Sequence, residues 1–298
     1  MTSVHHTPMG LSSTSSAIIL VALVIVSFLY VRAWRRMRGI SATAIPVWRL
    51  ASFLLGISLV WAALSSPLVA YEHDLLTVHM IQHLLLMTFA PSLILLGEPL
   101  LVFWHGLPRF GKMLGERSRR PFLQRFARML SRPDVCWGVS ALTLLGWHVP
   151  AMFTLGMQSE VWHSVEQASF FGAGLLFWWP VVQPWPRVST WPQWSTLLYL
   201  FLATLPCDIL SGFLVFSDRV AYPLYFSMPR HFGFSVLEDQ QCAAALMWTC
   251  VTLVYLVPAA IVTVRLLSPR CLYGGGLVRP ELGDSAAADR NPQSMEAI

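Results

Sequence analysis

Charge is what this sequence has least of. Only 12% of its 298 residues are Asp, Glu, Lys or Arg, about half of what a soluble domain carries. Hydrophobic residues make up 55%, and the mean hydropathy is +0.58. A chain so poor in charge cannot cover its surface with polar groups and needs lipid as its solvent. Its long uncharged runs also lack the apolar–polar alternation of barrel strands. Backbone polar groups cannot stay unpaired in hydrocarbon, so the runs read as helices and the fold class as all-α. Cysteine is sparse too: the five, at 136, 207, 242, 250 and 271, show no CxxC and no regular spacing. That excludes a disulfide framework and a zinc module. The N-terminus lacks the basic region that opens a signal peptide. Its first apolar run is followed at once by Arg32, Arg35, Arg36 and Arg38, and reads as a retained first helix. No internal repeat is visible.

The runs themselves are long. With about 20 residues per crossing, seven transmembrane helices are predicted near 14–31, 50–68, 78–103, 135–153, 163–183, 195–216 and 239–266. If the N-terminus lies outside, eighteen of the twenty basic residues fall on the cytoplasmic side, and only Arg219 and Arg230 remain outside. Positive charge left on the inner side fixes orientation, so the C-terminus is predicted to be cytoplasmic. The net charge of +5 is thereby assigned to topology, and nucleic acid is excluded as a partner. The chain divides into a short external segment, 1–13, a seven-helix membrane domain, 14–267, and a Gly-, Ala- and Asp-rich tail, 268–298, expected to be disordered. In the inner loop from His105 to Asp134, Pro121 can open an interfacial helix with Phe122, Phe126, Met129 and Leu130 opposite Arg125, Arg128 and Arg132. Arginines that only set topology are an equally good reading.

On this topology eight of the nine histidines lie outside: His5, His6, His73, His79, His83, His148, His163 and His231. Only His105 is inside. His79 and His83, four apart, share a helix face, and Met87 continues the row one turn deeper. His148 closes the fourth helix; His163 opens the fifth, with Glu166 one turn on. Imidazole with thioether suits soft or borderline ions, Cu(I) above all. A lone interfacial histidine such as His73 or His231 is more often a hydrogen-bonded polar residue, whereas a pair inside the apolar zone favours function. Asp208, beside Pro206 and Cys207 in the sixth helix, is an ionisable group in a costly place, so a ligand, a proton acceptor or a partner for a buried polar group. Pro206 is expected to break the local hydrogen bonding. Glu238 and Asp239 open the seventh helix, where acids cap the macrodipole. Capping does not explain Gln240 and Gln241.

The stretch HMIQHLLLMTFAPSLILLGEPL at 79–100, with GWHVPAMF at 146–153, HSVEQASFFGAGLLFWWPVV at 163–182 and EDQQCAAALMW at 238–248, resembles the CtaG-type cytochrome c oxidase assembly factors. These are seven-helix proteins of the bacterial plasma membrane. The resemblance implies a non-enzymatic role in maturing a haem-copper oxidase, handling copper for its metal centres. Oxidase subunits, a periplasmic copper chaperone and the bilayer are the implied partners. The family's polar positions fall on His79, Gln82, His83, His148, His163, Glu166, Asp239 and Gln240. One position departs, since Gln167 stands where relatives commonly carry a second histidine. The candidate metal set is therefore His79, His83, Met87, His148, His163, Glu166, Asp208 and Asp239. A copper transporter and a haem-binding membrane protein are the competing functions, the latter because facing histidines can ligate haem iron.

Overall fold

The computed structural model describes residues 13–40, 45–107, 132–183, 192–229 and 233–268. The predicted interfacial helix, His5, His6, His231 and almost all of the tail lie outside the described residues. Among the described residues ten α-helices follow one another: α1 (Ser13–Ile40), α2 (Val47–Ser65), α3 (Leu76–Leu84), α4 (Ala90–Leu96), α5 (Pro99–Gly106), α6 (Pro133–Trp147), α7 (Pro150–Gln158), α8 (Glu160–Val182), α9 (Gln193–Phe216) and α10 (Val236–Leu267). No strand occurs among the described residues. Five stretches of the described residues are long and apolar enough to cross a membrane: Ser16–Gly39, Val47–Tyr71, Leu76–Leu96, Trp194–Phe216 and Val236–Leu267. The pair α6 and α7, bent by 75°, makes a sixth if counted as one span. Large apolar side chains such as Leu142, Ile209, Phe216 and Leu267 face outward, as a lipid solvent requires. The chain is a multi-pass membrane protein.

Two predicted helices are broken, each for a local reason. The third, expected over 78–103, ends at Gly97 and restarts at Pro99, because Glu98 adopts a left-handed conformation (φ 49°). The Glu98 carboxylate is held 2.8 Å from Arg49 of α2. Between α3 and α4 lies a π turn, Leu85–Phe89, in which the Ala90 N–H reaches back five residues to the Leu85 carbonyl. Pro91, one residue on, has no N–H to offer Met87. Gly174 of α8 lies against that Met87 carbonyl, where a Cβ would come within 2.5 Å of the oxygen; only glycine lets the two backbones approach so closely. The fourth helix, expected over 135–153, stops at His148, because Val149 precedes Pro150 and is driven to an extended conformation (φ −64°, ψ 128°). Pro206, by contrast, sits within an unbroken α9.

The segment through α3 and α4 is the axis of the bundle. Of its most apolar window 61% is buried, against 11–28% for the other four crossing stretches. It packs on α2, α8 and α10, while α1 lies outside on α2 and α5. The N-terminus of α10 is closed by a capping box between Ser235 and Glu238. The next residue, Asp239, caps a different helix: its carboxylate accepts from the Leu76 N–H (2.7 Å), the Thr77 N–H (3.1 Å) and the Thr77 hydroxyl (2.6 Å) at the start of α3. An acid there also complements the helix dipole. Gln240 ties the same corner, accepting from the Ala221 N–H (2.7 Å) and donating to the Leu214 and Arg219 carbonyls. These contacts hold the upper end of α3 in place.

Candidate metal centre

The four-residue spacing on α3 turns His79 and His83 to one face, and packing buries both. Their Nε2 atoms face each other at 2.8 Å. Phe170 stacks on His83 with centroids 4.0 Å apart, and Phe153 stands edge-on to His79. From α8, Glu166 points into the same space. Its Oε1 lies 3.3 Å from His83 Nε2 and 3.7 Å from His79 Nε2. Glu166 is only 1% exposed, and neither of its carboxylate oxygens has a hydrogen bond of normal geometry. No Arg or Lys pairs with it among the described residues. Gly156 of α7 closes the back of the site, where a Cβ would meet Glu166 Oε2 at 2.7 Å.

A second cluster adjoins the first. Glu72, in the turn before α3, is 1% exposed and places its Oε1 3.5 Å from His73 Nε2 and 3.8 Å from His163 Nδ1. Its other oxygen accepts from the Gln82 side-chain amide, which also donates to the Ala63 carbonyl. Burial pushes the Glu72 carboxyl up to about 7, against the opposing pull of the Gln82 bond and of His79. His163 stacks nearly parallel to His79 with centroids 5.8 Å apart, and its Nε2 meets the Gln167 amide at 3.4 Å.

A third arrangement lies at the end of α6. His148 Nδ1 lies 2.7 Å from the Leu144 carbonyl and so carries the proton that donates to it. In the neutral ring this leaves Nε2 as a bare acceptor, 3.4 Å from Met80 Sδ. Both border a cavity with about 40 Å³ open to the centres of water-sized molecules, lined also by His83, Met87, Cys207 and Met247. That is room for an ion or a few waters.

The candidate residues thus separate. His79, His83 and Glu166 converge; His163 belongs to the adjoining cluster; His148 and Met87 line the cavity. Asp239 caps α3, and half-buried Asp208 lies on α9 beside the cavity-lining Pro206 and Cys207. Glu72 was not among them. An acid in a connection reads as solvated, and the only hint is its place one turn ahead of the histidine helix.

The first cluster suits a metal ion. Bonds of about 2.0–2.2 Å to imidazole nitrogen and carboxylate oxygen set neighbouring donors roughly 3–3.5 Å apart. The three separations, 2.8, 3.3 and 3.7 Å, bracket that range. A buried carboxylate whose only near neighbours among the described polar side chains are two imidazoles is costly, since a buried ion loses several kcal/mol or more of solvation, and a cation offsets that cost. Two imidazoles and one carboxylate match a borderline transition metal, whereas Ca²⁺ would take six or more oxygens.

Residues 28–268 match the family of cytochrome c oxidase caa3 assembly factors. The chain belongs to this family. The match runs from the middle of α1 to the end of α10, so it contains all three arrangements. Two relatives of this chain, uncharacterized proteins of Mycobacterium bovis and Mycobacterium tuberculosis, are each 25% identical over 225 residues, which is 73% of this chain and 34% of theirs. The chain therefore spans about a third of the length of the curated relatives it matches. No solved structure matches it.

Proposed function

We propose that this assembly factor holds copper at His79, His83 and Glu166, on the outer side of the membrane, for insertion into the metal centres of a haem-copper oxidase. The observation that carries the reading is the convergence of two imidazole nitrogens on a buried carboxylate that has no other side-chain partner among the described residues. The thioether of Met80 facing a bare imidazole nitrogen of His148, about one turn away, favours copper over harder ions. The role is non-catalytic: the ion is cargo, received from a periplasmic copper chaperone and passed to oxidase subunits.

The outer location follows from seven crossings with the N-terminus outside. Five apolar spans and the bent pair give six. Helix α8 supplies the seventh: its 23 residues reach about 35 Å at 1.5 Å each, more than the roughly 30 Å of hydrocarbon. The eighteen basic residues then lie in the cytoplasm of a bacterial plasma membrane.

Replacing both His79 and His83 with alanine tests the reading. The protein should still accumulate in the membrane, because alanine favours helix and the change removes polar rings from an apolar span. Its copper content should fall, and copper-oxidase activity should be lost at limiting copper although the oxidase subunits are made. Added copper should partly restore activity by mass action. His105→Ala, exposed on α5, should change nothing. Normal oxidase activity in the double variant at limiting copper refutes the site.

A further inference from the structure

We propose that Glu72, His73 and His163 form a second binding site for a borderline transition-metal ion, an outer station from which the ion passes to the His79–His83–Glu166 centre. The handover rests on the reading of that centre; binding at the station does not. The donor atoms, Glu72 Oε1, an imidazole nitrogen of His73 and one of His163, all lie within 4.8 Å of one another. Gln82 occupies only the second oxygen of Glu72, which leaves Oε1 turned toward the two rings. The carboxylate is thus held in place by one oxygen and offered by the other, which removes much of the ordering cost of coordination.

Access separates the two sites. The inner centre is sealed, with side chains 0%, 7% and 1% exposed for His79, His83 and Glu166. At the station the His73 side chain is 22% exposed while Glu72 is 1% exposed. An ion can therefore meet His73 first, before any ligand of the inner triad. His163 joins the sites, with centroids 5.5 Å from His73 on one side and 5.8 Å from His79 on the other. Gln167 acts here as a positioning residue. Coordination through His163 Nδ1 requires the ring proton on Nε2, and a side-chain amide can turn its oxygen to accept that proton or its nitrogen to donate when the tautomer reverses.

The test is copper binding by the purified full-length protein in detergent, with Cu²⁺ alone as probe and both stoichiometry and electron paramagnetic resonance as readouts. The wild type should bind two ions per chain, and its fully loaded spectrum should be broadened by dipolar coupling between neighbouring ions. His73→Gln should bind one, give a sharp single-ion spectrum and load about tenfold more slowly or worse. Glu72→Gln, which keeps an acceptor for Gln82, should also bind one, and guards against a folding defect in the first variant. The double alanine variant of His79 and His83 should retain one ion, at the station. If His73→Gln and Glu72→Gln bind as many ions as the wild type, at the same rate, the station is overturned. If instead they lose an ion while the double alanine variant keeps both, the inner centre fails and the station stands.

Discussion

Glu166→Gln should make the metal-free protein more stable and the metal-loaded protein less so. In the metal-free state Glu166 is 1% exposed, neither of its oxygens has a hydrogen bond of normal geometry, and the nearest polar groups are the His79 and His83 imidazoles. Removing the charge while keeping the shape relieves desolvation. The full penalty for a buried ion is several kcal/mol, but the nearby Nε2 atoms of His79 and His83 already offset part of it, so a gain of about 2 kcal/mol is expected. For a chain of this size that raises the melting temperature by about 4 °C. With Cu²⁺ present the order reverses. A ligand at a hundred times its dissociation constant stabilises the folded state by about 2.7 kcal/mol, and the variant, lacking the anionic donor, should gain little of this. The assay is thermal unfolding in detergent, followed by intrinsic tryptophan fluorescence, with chelator and with copper. A lower melting temperature for Glu166→Gln in chelator would show that the carboxylate is already paired with an imidazolium. Equal copper stabilisation of both proteins would remove Glu166 from the metal centre.

Gly156→Ala places a methyl group 2.7 Å from Glu166 Oε2; the carboxylate must shift by about 0.5 Å, and copper affinity in titration should fall about tenfold while expression holds. Asp239→Ala removes three hydrogen bonds from the start of α3 and should cost about 2–3 kcal/mol, read as a lower melting temperature; an unchanged one would remove the capping role. Reporters fused after residues 40, 118, 190 and 275 should report cytoplasm, and those after 72, 158 and 228 the outer side; an active periplasmic reporter at 118 would overturn the topology.

What the amino-acid sequence determined by itself is whatever depends on near neighbours. Hydropathy reveals the apolar spans because lipid contact is a property of each segment alone. Spacing of four pairs His79 with His83, because the helix repeat brings those positions to one face. Ser235 and Glu238 form a capping box because the motif spans only four consecutive residues. Spacing sets Glu166 one turn beyond His163 and the family resemblance includes it, but neither reveals what Glu166 meets. Tertiary packing decided the rest. Asp239 reads in sequence as a cap for its own helix and instead caps α3, 162 residues away in the chain. Gln240 enters the membrane because backbone groups at Leu214, Arg219 and Ala221 need partners. Glu72 reads as a loop acid and is buried, because Gln82 and two histidines fold over it. Even the breaks within the third and fourth predicted helices escape hydropathy, which does not register a π turn or the residue before a proline. Spans are written in single segments, but the cluster of His79, His83 and Glu166, brought together from α3 and α8, exists only once glycines such as Gly156 and Gly174 let the surrounding helices close to contact.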